Sequence, residues 1–184
     1  MKKLVSIGVA VVLLVSAVAF IAGCSSSGDT AKAKQYMKAG DALVKQTETQ
    51  GNQLPTATQK ALSSATDPAS LKTSMELAKK ETAKVNSTAN KAKAVFQKIK
   101  ALNGVAEYKK YADLEIESMD LVVQLDTELD KLMDQVVTIA SSPSGTTEQL
   151  TAAQQAFAKK STDISSQITK LQTEADNLKK QKNL

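Results

Sequence analysis

A heptad repeat of apolar and small residues runs through residues 68–102 and restricts this chain to helical folds of the coiled-coil type. The repeat alternates steps of four and three residues without a break, so one face of the helix meets a neighbouring helix along its whole length. Its members are Leu71, Met75, Ala78, Thr82, Val85, Ala89, Ala92, Phe96 and Ile99. The repeat predicts a long helix packed against another helix.

Three breaks divide the chain after residue 28 into four segments of similar length. Asp67 before Pro68, Gly104 after Asn103, and Thr146 at capping-box spacing from Gln149 all have the chemistry of helix ends. The predicted helices span about 29–65, with a kink or break near Pro55, then 68–102, 105–140 and 146–181. In the third helix the heptad positions are Tyr108, Tyr111, Glu115, Ser118, Val122, Leu125, Leu129, Leu132, Val136 and Ile139.

Loops this short place each helix antiparallel to the one before it. The chain after the N-terminal segment is therefore predicted to be all-α, an elongated up-down-up-down four-helix bundle with coiled-coil-like packing. Charge supports one pairing in particular. Residues 68–103 hold eight lysines and two acids, a net charge of +6, and residues 105–140 hold three lysines and nine acids, a net charge of −6, so the second and third helices are expected to pack together.

The N-terminus has the pattern of an export signal. Lys2 and Lys3 precede an apolar run over residues 4–20, and the small residues Ala22 and Gly23 stand directly before Cys24. An uncut signal anchor is the alternative, because residues 4–22 are long enough to span a bilayer. In either case the rest of the chain faces outside the cytoplasm, since the paired lysines keep the N-terminal end inside.

The tetrad Ile21-Ala22-Gly23-Cys24 resembles the lipobox of prokaryotic lipoproteins, although Ile21 stands where leucine is more common. The resemblance implies cleavage between Gly23 and Cys24 and a diacylglyceryl group on the Cys24 sulfur. It divides the chain into a signal peptide, 1–23, a lipidated cysteine with a short tether, 24–28, and a helical domain, 29–184. The lipid anchor would hold the protein at the cell membrane, or at an outer membrane if the cell has one.

Composition removes most known active sites. The chain has no histidine, no arginine and no tryptophan, and it has a single cysteine, which excludes histidine-dependent catalysis, a zinc cluster and an intrachain disulfide. We expect no enzyme activity and no cofactor. Although 42% of the residues are apolar, the signal takes many of them and alanine supplies much of the remainder. The core is therefore expected to be thin, without a large apolar pocket.

The third helix carries the densest group of carboxylates. We expect these carboxylates to form a solvated face paired with lysines of the second helix. Glu115 is the exception, because it falls at a heptad position. A metal site is the weaker alternative, because the chain lacks the histidines that helical metal sites use. These acids are Asp113, Glu115, Glu117, Asp120, Asp126, Glu128, Asp130 and Asp134. The tyrosines Tyr36, Tyr108 and Tyr111 should meet at one end of the bundle as core caps with wet hydroxyls, or as a stacking site for a small ligand.

Lysines concentrate at the end of the predicted bundle that is nearest the anchor. We hypothesise that this basic end rests on anionic lipid headgroups or anionic wall polymer; the alternative is that its lysines only keep the helix ends soluble. Nucleic acid is not an expected partner, because arginine and an aromatic stacking platform are absent. The lysines are Lys32, Lys34, Lys38, Lys98, Lys100, Lys109, Lys110, Lys179, Lys180 and Lys182.

These features predict a non-catalytic, membrane-anchored lipoprotein that serves as a structural or protein-interaction module of the cell envelope, with a protein partner that the sequence does not identify. The alternative is a ligand-binding or carrier lipoprotein with a groove in the bundle. That alternative needs weakly filled layers, such as those at Gly40, Gly51 and Thr82, to align into a cavity of several hundred cubic ångströms. An enzyme or metal protein is the third alternative, and the oligomeric state stays open because heptad repeats also pair between chains.

Overall fold

The computed structural model describes residues 26–184, and this part of the chain is all-helical, as predicted. Helix accounts for 89% of it and no strand occurs between residues 26 and 184. The predicted signal peptide, 1–23, and the predicted lipidation site, Cys24, lie outside the described residues. The helices are α1 (Ser26–Gly51), α2 (Leu54–Ser64), α3 (Pro68–Lys100), α4 (Ala106–Ser141) and α5 (Thr147–Lys182).

The helix ends follow the capping chemistry of the sequence. The Asp67 carboxylate accepts hydrogen bonds from the backbone N–H groups two and three residues further on, at 2.9 and 2.8 Å, and Pro68 begins α3. Thr146 and Gln149 form a capping box at the start of α5, and Gly104 has a φ of 69° in the turn after α3. The two N-terminal caps satisfy backbone N–H groups that would otherwise lack partners.

The first predicted helix is two helices. The break falls at residues 52–53, and Pro55 lies in the first turn of α2, where its missing N–H costs no helical hydrogen bond. At the other end, α1 begins at Ser26, so the predicted tether, 24–28, is helical from Ser26 onward. This extension places Asp29 in the first turn, where a negative charge is favourable, and its Oδ2 also accepts the backbone N–H of Asn103 at 3.0 Å.

The helices pack in chain order, and α1 also contacts α4. Both α1 and α2 pack on α3, α3 packs on α4, and α4 packs on α5. Opposite charges line the α3–α4 interface, as the sequence predicted. The ion pairs across it join later residues of α3 to earlier residues of α4. The ion pairs that cross this interface are Lys79–Asp134, Lys93–Asp120 and Lys100–Asp113.

The core forms two apolar clusters along the body. All predicted heptad residues of α3, from Leu71 to Ile99, are buried. One cluster surrounds Phe96, and the other surrounds Met75 and Met133. The Phe96 ring lies against Gly40 so closely that a Cβ there would fall 2.4 Å from a ring carbon, so glycine is required at this helix crossing.

Helix α4 has two inward faces, whereas the sequence predicted one. Its predicted heptad positions are buried from Tyr108 to Ser118 and at Val136, but the intervening members, including Val122 and Leu129, are only half-buried. A second stripe, spaced by seven residues, is buried instead: Ala112, Met119, Asp126 and Met133. The half-buried face therefore remains available to line a cavity.

Candidate functional site

A groove with a volume of about 820 Å³ opens between the two outer walls of the body, α1–α2 and α5, with α4 as its floor. The lining is mainly apolar. Its apolar members include Leu54 and Leu62 from α2, Val85 from α3, Met119, Val122, Leu125, Leu129 and Leu132 from α4, and Phe157 and Ile168 from α5. The half-buried face of α4 is thus the floor of the groove.

The groove exists because α5 has no extensive interface with α1 or α2 within residues 26–184. Polar side chains bridge the two walls at one end. The Gln172 Nε2 donates to Glu48 Oε1 at 2.9 Å, and the Lys179 Nζ donates to Asp41 Oδ2 at 2.5 Å. The expectation of no large apolar pocket was wrong, because the small number of large apolar residues limits how completely helices fill the space between them, and here α5 stands away from α1 and α2.

The predicted cavity layers contribute unequally to this groove. Gly51 lines it, and a Cβ at Gly51 would meet no other atom within 4 Å. Gly40 faces the Phe96 ring instead. Thr82 is buried, and its hydroxyl donates to Asp130 Oδ1 at 2.7 Å. Of these three residues, only Gly51 therefore lines a cavity, as the ligand-binding alternative requires.

Asp126 is a buried carboxylate in the lining of the groove. Its side chain belongs to a residue that is 3% exposed, and its Oδ2 has no hydrogen-bond partner among the described residues. Burial raises the pKa of Asp126 from 3.8 to about 7, and the negative charge of Asp130 adds to this rise. The prediction that Asp126 lies on a solvated, lysine-paired face was wrong, because Asp126 occupies the second buried stripe of α4.

The charged residues of the groove are all acidic. Within residues 26–184, Glu48 and Asp126 line it and no lysine does, although the chain contains 24 lysines. Serine, threonine and glutamine side chains supply the other polar groups, among them Ser161, Ser165 and Gln172 of α5. An anionic ligand would meet like charge in this groove, whereas a neutral or cationic ligand would not.

A polar cluster lies beyond the Glu48–Gln172 bridge. The Tyr111 hydroxyl donates to Asp41 Oδ1 at 2.7 Å, and the Lys179 Nζ stands 5.7 Å from the centre of the Tyr111 ring. Tyr111 is 3% exposed, so the prediction of a wet hydroxyl was wrong for this tyrosine, whose hydroxyl is paired with a carboxylate. Burial is the main cause that raises the pKa of Tyr111 above its ordinary value, and the neighbouring carboxylates add to it.

Glu115 is the second buried carboxylate of α4. It is 6% exposed, and its Oε2 has no hydrogen-bond partner within residues 26–184. Burial raises the pKa of Glu115 to about 7; a hydrogen bond with Tyr111 opposes this, and the charges of Asp41, Asp176 and Glu48 reinforce it. The heptad position assigned to Glu115 is therefore an inward-facing one.

The other predicted acids of α4 are mostly paired with lysine. Asp113, Asp120 and Asp134 form the ion pairs with α3 described above, and Glu128 contacts Lys131 and Lys160 at 2.6 and 2.7 Å. Hydrogen bonds from these two lysines lower the pKa of Glu128. Within residues 26–184, no three carboxylate or cysteine side chains are grouped closely enough to hold a metal ion.

The predicted basic end surrounds the core cluster that contains Ala33, Ile99 and Leu178. Carboxylates pair with Lys32, Lys100, Lys110, Lys179 and Lys182, and the Lys98 Nζ lies 5.7 Å from the centre of the Tyr36 ring. The remaining lysines have no carboxylate of the described chain within 4 Å: Lys34, Lys38, Lys109 and Lys180. The unneutralised charge at this end is thus smaller than the sequence implied.

Comparison with known proteins gives no relative for this chain. No protein-family model, no characterised protein and no solved structure matches it. None of the helices formed by residues 26–184 combines the length and the apolar character needed to cross a membrane.

Proposed function

We propose that this protein is a lipid-anchored, extracytoplasmic binding protein that holds an elongated apolar ligand in the groove between α1–α2 and α5. The observation that carries the proposal is the groove itself, with its volume of about 820 Å³ and its apolar lining. Sites for small molecules are typically concave, mainly apolar and roughly 300–1,000 Å³ in volume. Of the two non-catalytic roles that the sequence allowed for the helical body, ligand binding accounts for this groove, and an envelope spacer does not need it.

The anchor in this proposal is the diacylglyceryl group on Cys24, implied by the lipobox-like tetrad at residues 21–24. Helix α1 begins two residues later, and Glu48 at the near end of the groove lies 22 residues along it from Ser26. At 1.5 Å per residue this distance is about 33 Å. With α1 directed away from the bilayer, the groove would stand clear of the headgroups and accept ligands from the surrounding solution.

The proposed body is an elongated, antiparallel up-down-up-down four-helix bundle, in which α1 and α2 together form the first helix. The opposed numbering of the α3–α4 ion pairs supports this arrangement, as do contacts of Glu128 with Lys160 and of Glu107 with Lys182 between α4 and α5. The proposed role is binding rather than catalysis, because nothing in the lining pairs a nucleophile with a histidine or lysine base.

A substitution that fills the groove with a large side chain tests the binding role. In Ser165→Trp, an indole on α5 would occupy the groove; the matched control is Ser166→Trp, which adds the same indole at the next, exposed position outside the lining. The assay is fluorescence titration of residues 24–184 carrying Cys24→Ser with N-phenyl-1-naphthylamine, a neutral apolar dye. We expect saturable binding by the parent chain and by Ser166→Trp, and at least tenfold weaker binding by Ser165→Trp. Equal binding by both tryptophan variants, or none by the parent, contradicts the proposal.

The anchor has a separate test. Cells that express the full chain are fed an alkyne-tagged fatty acid, and the protein is then examined for the label. We expect labelling of the wild type and none of Cys24→Ser, with a shorter mature chain only in the wild type. Label on both proteins, or on neither, contradicts a lipid anchor at Cys24.

An envelope spacer or protein-interaction module is the second candidate. The observation that favours it is the length of α4 and α5, which have 36 residues each and therefore extend about 54 Å. The dye titration separates the two candidates, because a spacer has no need to bind an apolar molecule and would be insensitive to a tryptophan at position 165.

A further inference from the structure

We propose that the ligand of the groove is a cationic amphiphile, an apolar chain that ends in an ammonium-type group and pairs that group with the Asp126 carboxylate. This inference rests on the proposed binding function and names the chemical class of the ligand. Its starting point is the unpartnered Oδ2 of Asp126, on a residue only 3% exposed, in the lining of an apolar groove.

A buried carboxylate without a partner is costly, since burial removes its hydration and nothing replaces it. Along its own stripe on α4, Asp126 is flanked by Met119 and Met133, which offer no hydrogen bond donor of useful strength. Folding alone gives no reason for a charged residue here. A ligand that carries a cation supplies the missing partner, and the pair then satisfies the charge.

The groups around Asp126 cannot neutralise it. The charged group that acts on it is Asp130 of α4, and the other charged side chain of the described lining, Glu48 of α1, is also acidic. The lining contributed by α3 is Val85, and the lining contributed by α5 carries no charge. Other acids of α4 show what the chain does where a carboxylate needs a lysine: Asp113, Asp120, Glu128 and Asp134 each have one within 4 Å.

The position of Asp126 also orients the ligand. On one side of it the floor leads to Met119 and then to the Glu48–Gln172 bridge, where a second carboxylate lies. On the other side the lining is apolar through Leu129 and Leu132 toward Phe157 of α5. The cationic group would therefore lie between the two carboxylates, and the apolar chain would follow the leucines toward α2 and Phe157.

The test compares three ten-carbon probes below their micelle concentrations: decylammonium, decanol and decanoate. Their affinities for residues 24–184 carrying Cys24→Ser are measured by dye displacement and calorimetry at pH 8, after circular dichroism has verified the helical fold. We expect the cation to bind at least tenfold more tightly than decanol, the range of a charge-assisted hydrogen bond, and decanoate to bind most weakly.

Asp126→Asn keeps the shape of the side chain and removes the charge, and we expect the ratio of cation to decanol affinity to fall close to one. Asp163→Asn is the control, because Asp163 is an exposed acid of α5 outside the groove, and the ratio should stay at the parent value. The cation preference of the parent should also shrink at pH 5, where Asp126 is protonated and decylammonium keeps its charge.

The outcomes separate the two proposals. If decanol and the dye bind but the cation has no advantage, or if its advantage survives in Asp126→Asn, the cationic ligand is refuted and the apolar groove stands. If none of the three probes and no dye binds the folded protein, the proposed binding function fails, and this inference fails with it.

Discussion

The buried carboxylate of Asp126 makes the stability of the native protein depend on pH. Its pKa is 3.8 in the unfolded chain and about 7 in the native state. An acid whose native pKa is raised binds more protons in the native state than in the unfolded state between these two values. Stability therefore falls as pH rises through this window, and the native state is more stable at pH 5 than at pH 8.

The magnitude follows from the two pKa values. At pH 8 the ionisation of Asp126 favours unfolding by about 4 kcal/mol, and at pH 5 by about 2 kcal/mol, because the unfolded chain is already ionised there. Between pH 5 and pH 8, the free energy of unfolding should therefore fall by about 2–3 kcal/mol more in the wild type than in Asp126→Asn, whose side chain cannot ionise. Glu115, whose pKa is also raised to about 7, keeps its own pH dependence in both proteins.

The assay is urea unfolding of residues 24–184 carrying Cys24→Ser, followed by circular dichroism at pH 5 and pH 8, with and without Asp126→Asn. Asp163→Asn is the control and should follow the parent at both pH values, because Asp163 is exposed. Equal pH dependence in the parent and in Asp126→Asn would show that the carboxylate is hydrated in the native protein, and the argument from burial would be refuted.

Three further expectations test other parts of the structure. Gly40→Ala should cost about 1–3 kcal/mol of stability, because its Cβ would collide with the Phe96 ring. Gly51→Ala should instead add up to about 1 kcal/mol, because nothing lies within 4 Å of its Cβ. Equal denaturation midpoints for the two variants would contradict both expectations. Tyr111→Phe removes the hydrogen bond to Asp41 and should lower stability by about 1 kcal/mol, and an unchanged urea midpoint would show that water replaces it. For the basic end, residues 24–184 with Cys24→Ser should float with anionic vesicles and not with neutral ones, and a combined Lys34→Gln, Lys38→Gln and Lys180→Gln variant should lose that preference; equal flotation with both vesicle types refutes the membrane role.

Sequence reasoning succeeded where one helix face is covered by neighbouring helices along its whole length. The heptad residues of α3, such as Val85 and Phe96, are buried as predicted because α3 has partners on both sides of a single stripe. Capping at Asp67 and Thr146 was also predictable, since a cap depends on residues close in sequence. The opposite charges of the two middle segments correctly predicted that α3 and α4 pack together.

The groove could not be predicted, because it depends on where helices fail to meet. A heptad pattern reports which residues of a helix are apolar, and it does not distinguish a face covered by another helix from one that lines a cavity. Leu125 and Leu129 fit the pattern equally well in both cases. The position of Asp126 was predicted wrongly for the same reason. It belongs to a second stripe with Ala112, Met119 and Met133, and this stripe is buried although the predicted heptad positions of α4 do not include it.

The bridge between Glu48 and Gln172 and the packing of α5 bear on which ligands the groove can bind. Glu48 is exposed to solvent and Gln172 is half-buried, and parts of Asp41 and Lys179, which join the same two walls, are also exposed. Moving α5 outward would exchange these contacts for contacts with water, at a cost of about 0.5–1.5 kcal/mol each. The same motion would pull Ala175 and Leu178 of α5 out of the apolar cluster around Phe96, which adds the cost of exposing buried apolar surface. The packing of α5 on α4 therefore limits how far the groove can widen, and ligands with bulkier headgroups or branched tails should bind more weakly than linear ones.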